Sequence, residues 1–197
     1  MKNIIPFLFL LSVSGTSLSQ NSDVELLRDI NLNRNKSLDP AFKFTSNSIT
    51  PISIGVPSIV LAVGLIKKDS TIKNKGFYLV GTTVVSGIIT SAMKFSIKRD
   101  RPFKTYPEIE KGSSGGGYSF PSGHTSSAFA TATSLSIAFP KWYVIAPSLA
   151  WASGIGYSRM HLGVHYPSDV LVGAFVGAGS AFLSYKINKW LHHKKRK

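Results

Sequence analysis

The amino-acid sequence predicts an all-α, integral-membrane bundle of about five to six transmembrane helices. Asp, Glu, Lys and Arg fall in short clusters, which are separated by long runs without any of them. One helical crossing of a bilayer needs about 20 predominantly apolar residues, so runs of this length indicate membrane helices. The runs cover residues 44–66, 76–93, 112–140, 142–158 and 170–185. The alternative is a soluble helical domain with unusually buried helices.

Composition limits the class of protein and the kind of partner. A chain of 197 residues indicates one domain, and 23 Lys+Arg against 9 Asp+Glu give a formal net charge of +14. This excess favours acidic partners, namely phosphorylated substrates, anionic lipid surfaces or nucleic acid. The absence of cysteine excludes disulfides, a thiolate nucleophile and a cysteine-based metal site.

The N-terminal residues resemble a secretory signal. Lys2 precedes an apolar stretch at residues 4–13, and small residues follow at 17–19. This pattern predicts a signal peptide at 1–19. The alternative is an uncleaved first membrane helix, for which about ten apolar residues are short. A polar leader at 20–43, with a possible interfacial helix and no assigned chemistry, then leads into the membrane domain.

The remaining boundaries follow from the uncharged runs and from charge asymmetry. We expect the membrane domain at 44–190 and a basic cytoplasmic tail at 191–197. Lysines at 67–75, at Lys141 and in the tail lie on one predicted face, which the positive-inside rule assigns to the cytoplasm. The tail is therefore interpreted as a topology anchor, with no nucleic-acid partner.

The segment 158–169 carries the strongest local signal for chemistry. Pro167 suits the first turn of a helix, so His165 precedes that helix and Asp169 lies in its first turn, close enough to reach the imidazole. A carboxylate fixes the tautomer and direction of a histidine ring, and the guanidinium of Arg159 matches phosphate oxygens. This combination suits attack on a phosphate group.

Three motifs fall on the same face of the predicted bundle. They are Lys94-x6-Arg101-Pro102, Pro121-Ser122-Gly123-His124 and Ser158-Arg159-x5-His165-x3-Asp169. In order and spacing they resemble the type 2 phosphatidic acid phosphatase superfamily over about residues 45–190. The resemblance implies a core like that of acid phosphatases and haloperoxidases, and the apolar runs resemble the membrane branch.

The residue chemistry and the resemblance assign the same roles. His165 is the expected nucleophile, Asp169 orients it, and His124 is the general acid and then the general base. The expected phosphate ligands are Lys94, Arg101, Ser122, Gly123 and Arg159. Further basic residues are expected at the rim of the site, namely Lys98, Arg99 and Lys104.

No cofactor or metal is expected. The spacing of His161, His165 and Asp169 leaves a metal site as a rival interpretation, but Pro167 interrupts the helix that would align them, and the basic neighbours repel a cation. His161 lies outside the motifs and is treated as a bystander.

The predicted function is hydrolysis of a phosphomonoester or pyrophosphate on a membrane lipid, through a phosphohistidine. Phosphatidic acid, phosphatidylglycerophosphate, undecaprenyl pyrophosphate and lipid A phosphates all remain open as substrates, as does the oligomeric state. The predicted location is the bacterial inner membrane, with the site facing the periplasm. Alternatives are a soluble secreted acid phosphatase, a vanadium-dependent haloperoxidase, a head-group transferase and a non-catalytic lipid-binding protein.

Overall fold

The computed structural model describes residues 21–194, without the side chains of 192–194, and all regular elements in that range are helical. The predicted signal segment at 1–19 lies outside the described residues. The helices are α1 (residues 21–32), α2 (Asp39–Asn47), α3 (Ile49–Ile66), α4 (Ser70–Ile97), α5 (Pro102–Thr105), α6 (Gly123–Ala138), α7 (Trp142–His161) and α8 (Pro167–Lys194). A 3-10 turn at Lys36–Leu38 precedes α2.

Each predicted uncharged run overlaps one long helix, in the order α3, α4, α6, α7 and α8, and α4, α7 and α8 extend beyond their runs. Within the described residues, three segments are long and apolar enough to cross a membrane: Lys36–Ile66, Ser70–Thr105 and Pro167–Leu191. The prediction of an all-α membrane bundle is confirmed. The run at 112–140 becomes helical only at Gly123, where the side chain of Ser122 caps α6.

Large apolar side chains cover the outside of this bundle. Ile59 on α3 is 63% exposed, Ile88 on α4 is 64% exposed, and Phe175 on α8 is 70% exposed. Exposed apolar surface spread over neighbouring long helices fits a lipid environment and does not fit water. A multi-pass membrane protein therefore explains the surface better than the soluble alternative does.

Helix α6 lies at the centre of the bundle, in contact with α3, α4, α7 and α8. Its buried positions hold small side chains, which allow neighbouring backbones to approach closely. The hydroxyl of Thr131 bonds to Ser53 of α3 at 3.1 Å and to the carbonyl of Ser127 at 2.9 Å. Because α6 is enclosed by other helices, its many Ser and Thr residues need not face lipid.

Helix α1 packs against the loops at one end of the bundle. Val24 and Leu27 are buried in a cluster with Ile109 and Tyr166. The side-chain amide of Asn31 donates to the carbonyl of His161 at 2.9 Å. One face of this polar leader is therefore buried by protein, an arrangement that its alternating charges alone did not indicate.

A tight turn connects α7 to the residues before α8. Gly163 has a φ of 66°, and a side chain there would lie 2.4 Å from the carbonyl oxygen of Glu110. The turn lets the amides of Val164 and His165 bond back to the carbonyl of Arg159, at 3.1 and 3.3 Å. The backbone thus holds the third motif compactly between the two helices.

Candidate active site

The structure brings the three motifs together at one end of the bundle, and each contributes from a different element. The motif residues lie in the last turn of α4 and just before α5, in the first turn of α6, in the last turn of α7, and around the start of α8. They are Lys94, Arg101, Ser122, Gly123, His124, Arg159, His165 and Asp169. Residues far apart in sequence therefore surround one small volume.

His165 is 1% exposed and is held through both ring nitrogens. Its Nε2 lies 3.2 Å from Nη1 of Arg101, and because a guanidinium only donates, Nε2 accepts. Its Nδ1 lies 3.3 Å from Oδ2 of Asp169 and 3.3 Å from Oγ of Ser119. These bonds assign the proton to Nδ1 and leave the lone pair of Nε2 as the available nucleophile.

The carboxylate of Asp169 is fully buried and accepts several hydrogen bonds. Oδ2 accepts from the hydroxyl of Ser119 at 2.5 Å and from the amide of Tyr166 at 3.1 Å. Oδ1 accepts from Nη1 of Arg99 at 2.9 Å. With this many donors the carboxylate is fixed, so it orients the imidazole firmly.

Arg101 is 6% exposed and bonds only to neutral acceptors. Besides the ring of His165, it donates to the carbonyls of Gly116 at 2.8 Å, Gly117 at 3.2 Å and Val164 at 2.9 Å. No carboxylate among the described residues pairs with this guanidinium. Its charge is therefore buried without a directly bonded carboxylate among the described residues, and Asp169 acts on it only from across the ring of His165.

Arg159 repeats this arrangement at 1% exposure. Its two terminal nitrogens donate to the hydroxyls of Ser46 and Ser113 and to the carbonyl of Ser114. Its Nε is buried and has no hydrogen-bond partner among the described residues. An unpartnered donor on a buried cation is a position at which an anion would be stabilised.

Lys94 and His124 lie at the end of a groove of about 450 Å³ between α3, α4 and α6. The ammonium of Lys94 donates to the carbonyl of Tyr118 at 2.7 Å. The ring of His124 is half-buried, and it lies within electrostatic reach of Arg159, His165, Arg101 and Lys94. His124 therefore faces the cationic site from the groove side, while His165 lies at its buried end.

Burial lowers the pKa of His165 from 6.5 to about 4. The positive charges of Arg101 and Arg159 act in the same direction, and the hydrogen bond and charge of Asp169 oppose them. Because the pKa lies well below 7, the imidazole is neutral at physiological pH, as a nucleophile must be.

Ser122 is bonded within the fold more fully than the sequence indicated. Its amide donates to the carbonyl of Asp169 at 3.0 Å, and its hydroxyl accepts from the hydroxyl of Thr125 at 2.9 Å. Ser122 therefore joins the start of α6 to the start of α8, and its amide is not free for an anion. The amides of Gly123 and His124 follow in the first turn of α6, where helix donors are unpaired.

Sequence reasoning misplaced Arg99 and missed Ser119. Arg99 was expected at the rim, yet it is only 24% exposed and bonds to Asp169 and to Asp23 of α1. Spacing within the first motif does not show which basic side chain turns inward, because that depends on where α4 ends. Lys98 ends α4 with a φ of 52°, after which the chain turns towards the site.

The rival metal site is not assembled. Nε2 of His161 lies 2.9 Å from Oδ1 of Asp39, and its ring packs 4.2 Å from that of Phe42. Among the described residues there is no group of three or more His, Asp or Glu side chains placed to hold a metal. His161 instead connects α7 to α2.

Comparisons with known proteins agree with this arrangement. The model of the PAP2 superfamily matches residues 75–192. The undecaprenyl-diphosphatase of Sulfolobus acidocaldarius is 32% identical over 169 residues, covering 84% of this chain and 78% of that protein. The lipid A 4'-phosphatase of Bacteroides thetaiotaomicron is 35% identical over 88 residues, which are 45% of this chain but only 39% of that relative.

Solved structures share the fold. The crystal structure of LpxE from Aquifex aeolicus has a TM-score of 0.69 and 29% identity, covering 82% of this chain and 93% of that one. The first transmembrane PAP2 type phosphatidylglycerolphosphate phosphatase from Bacillus subtilis has a TM-score of 0.77 and 22% identity, covering 94% of each chain. The helical arrangement described above is thus found in membrane proteins.

Proposed function

We propose that this chain, which belongs to the PAP2 superfamily, is a membrane phosphatase that removes a phosphate group from a lipid. The observation that carries this proposal is the set of inward-facing cations without carboxylate partners around the nucleophilic nitrogen of His165. Within the part of the chain that the structure describes, Lys94, Arg101 and Arg159 bond only to carbonyls, hydroxyls and an imidazole.

The positive charge of these three side chains makes their burial costly. Burying a cation without a counterion costs several kcal/mol, and neutral acceptors recover only part of it. A phosphate dianion would compensate more than one of these charges at once and could accept the free Nε–H of Arg159. The same donors stabilise the charge that spreads over the equatorial oxygens in phosphoryl transfer.

The first chemical step is attack of Nε2 of His165 on phosphorus. The new N–P bond forms as the bond from phosphorus to the lipid oxygen breaks. His124, which takes up a proton when the anionic phosphate enters among the cations, gives that proton to the leaving oxygen. Arg101 now contacts Nε2 at 3.2 Å, so it has to turn from the ring to the incoming phosphate. Asp169 stabilises the positive charge that the ring acquires.

The second step releases inorganic phosphate. His124, now neutral, removes a proton from a water molecule, which attacks phosphorus and breaks the N–P bond. The electron pair returns to Nε2, and the enzyme regains its initial protonation state. The half-buried position of His124 beside the groove suits both steps, because the leaving lipid and the entering water must pass it.

The groove also supports a lipid as the substrate. Its walls combine apolar side chains with small polar ones, and Lys94 and His124 lie where it ends. Since α3 and α4 also face lipid, a substrate can keep its chain in the bilayer while its phosphate reaches the cations. We extend the proposal to a site on the periplasmic face of the bacterial inner membrane, which the charge asymmetry of the loops favours.

The test is phosphate release by purified protein in detergent, with chelator present. The substrates are phosphatidic acid, phosphatidylglycerophosphate, undecaprenyl pyrophosphate and lipid A. We expect release from at least one of them, and a loss of more than about 10³-fold in His165→Ala. The matched control is His193→Ala in the C-terminal tail, which should retain wild-type activity. Full activity of His165→Ala would overturn the mechanism, and no turnover of any lipid phosphate would overturn the function.

A further inference from the structure

We propose that Asp23 and Arg99 are positioning residues that hold the pair formed by Asp169 and His165, so that helix α1 completes the active site. This inference rests on the proposed phosphatase function. It assigns a role in the reaction to the polar leader, which lies outside all three motifs.

Arg99 bridges two carboxylates. Its Nη1 donates to Oδ1 of Asp169 at 2.9 Å and to the hydroxyl of Ser168 at 2.7 Å, and its Nη2 donates to Oδ2 of Asp23 at 2.7 Å. The guanidinium also stacks on the ring of Tyr166, with 3.7 Å between its central carbon and the ring centroid. Both terminal nitrogens of the guanidinium are hydrogen-bonded and one of its faces packs on a ring, so these contacts fix its orientation.

Asp23 also binds the start of α8. Its Oδ1 accepts from the amide of Ser168 at 2.7 Å, and its Oδ2 accepts from the hydroxyl of Ser168 at 2.5 Å. An amide in the first turn of a helix has no partner within that helix, so this carboxylate supplies one. Asp23 thus positions the residue adjacent to Asp169 as well as the guanidinium that bonds to Asp169.

The charges of the four side chains alternate in sign from Asp23 through Arg99 and Asp169 to His165. Asp23 is negative, Arg99 positive and Asp169 negative, and His165 becomes positive when it is phosphorylated. Arg99 therefore differs from the three phosphate-binding cations, because its charge is already matched by two carboxylates. A cation so compensated is suited to fixing Asp169 rather than to binding substrate.

Helix α1 is held firmly enough to serve this purpose. Leu27 is fully buried, and Val24 packs with it against Ile109 and Tyr166. Further along the helix, the side chain of Asn31 donates to the carbonyl of His161 and accepts from the amide of Glu110 at 2.8 Å. The helix is thus attached at both ends, to the residues before α8 and to the last turn of α7.

The test compares Asp23→Asn and Arg99→Gln with wild-type protein on the lipid phosphate that it hydrolyses. The matched control is Asp29→Asn, the same change at an exposed position of α1. We expect kcat to fall about 10- to 100-fold in the first two variants, as for other residues that orient a functional side chain through a hydrogen bond. KM and the inhibition constant of inorganic phosphate should stay within about threefold, because Lys94, Arg101 and Arg159 are untouched.

A double variant shows whether Asp23 acts on Asp169 through Arg99, which we call the relay, or whether the two residues act independently. If Asp23 acts through Arg99, adding Asp23→Asn to Arg99→Gln should lower kcat little further. Arg99→Lys keeps the positive charge but loses the two-pronged set of guanidinium donors. Its kcat should therefore lie between those of Arg99→Gln and wild type. Melting temperatures in detergent identify any variant whose loss comes from unfolding, and kcat is then calculated per folded molecule.

The inference is overturned if Asp23→Asn keeps kcat within twofold of wild type, or if KM rises as much as kcat falls. A wild-type chain that hydrolyses no lipid phosphate would instead overturn the proposed function. In that case the ¹⁵N chemical shift of Nδ1 of His165 still tests the relay. The shift should move in Asp23→Asn and Arg99→Gln but not in Asp29→Asn, and an unchanged shift in all three would refute it.

Discussion

The two site histidines differ in burial and in partners, and the difference matches the roles proposed for them. His165 is enclosed, with its Nδ1 turned to Asp169 and its Nε2 turned to Arg101. His124 is half-buried at the end of the groove, in the first turn of α6. A nucleophile benefits from a fixed lone pair, whereas an acid–base group must meet both the leaving oxygen and water.

We expect His124→Ala to retain the nucleophile and lose the proton transfers. Turnover of a lipid phosphate should fall about 10²- to 10⁴-fold. With p-nitrophenyl phosphate, whose leaving group needs no proton, the first step should remain and the second should stall. Acid-labile phosphoenzyme should then accumulate. It can be measured by reacting the variant with ³²P-labelled substrate, stopping the reaction and counting the label that stays on the protein. A variant that loses activity without accumulating phosphoenzyme would contradict the assigned role.

The pKa of His165 also predicts how stability depends on pH. Its folded value of about 4 lies below the unfolded value near 6.5, so between these values the unfolded state binds more protons. This contribution is complete above pH 6.5 and is lost as pH falls towards 4, by at most about 1.4 kcal/mol per pH unit. Unfolding in detergent from pH 7 to 4 should show a shallower decline in His165→Gln than in wild type. If the free energy of unfolding fell equally steeply in the variant, the pH dependence would come from other titratable groups.

Among the elements, α6 and α8 make the closest contact that the site depends on. Gly173 and Gly177 of α8 lie against the backbone of α6, and the amide of Ser122 bonds to the carbonyl of Asp169 where the two helices begin. Their spacing therefore keeps the second and third motifs together. A change in this contact should therefore lower stability, and it should lower activity only as a consequence of that loss.

Gly177→Ala should separate these helices. A Cβ there would lie 2.3 Å from the carbonyl oxygen of Ser126 and 2.7 Å from the amide nitrogen of Ala130, and backbone atoms cannot yield locally. We expect a loss of about 1–3 kcal/mol in the free energy of unfolding, measured by denaturant titration in detergent. Gly179→Ala is the control, because among the described residues no heavy atom beyond the adjacent backbone of α8 lies within 4 Å of its Cβ position. Equal stability of the two variants would refute the close contact.

At the scale of the whole molecule, charge separates the two ends of the bundle. The motifs and α1 lie at one end of the bundle. The lysines of residues 67–75, in the turn before α4 and its first residues, lie at the other end with Lys141, since α3, α4, α6 and α7 connect the two ends alternately. The lysines of the second end match the cytoplasmic face of a membrane protein. At the first end, basic side chains such as Arg28, Arg34 and Arg99 pair with carboxylates, so they differ from the lysines of the second end, which pair with no carboxylate in the described part of the chain.

The absence of cysteine makes this topology directly measurable. We expect Lys111→Cys, at an exposed position of the loop before α6, to react with an impermeant maleimide added outside intact spheroplasts. Lys67→Cys, at the opposite end, should react only after lysis. The unsubstituted chain provides the blank. Labelling of Lys67→Cys from outside, with Lys111→Cys protected, would place the site in the cytoplasm.

The sequence by itself determined the membrane bundle and the identity of the motif residues. Uncharged runs long enough for a bilayer predict helices from hydrophobicity alone, and Pro167 and Ser122 mark two helix starts through local backbone chemistry. These signals depend on neighbouring residues, so they can be read without knowing the fold. The predicted start of α8 lies where the structure has it.

Only the tertiary structure decided which polar groups compensate one another. Arg99 and Arg101 are two residues apart, yet Arg99 bonds to two carboxylates and Arg101 bonds to none among residues 21–191. That difference arises because α1 brings Asp23 to one side of the site, across a separation in sequence that no local pattern encodes. The free energy of a buried charge depends on partners supplied by other helices, and packing alone determines those partners.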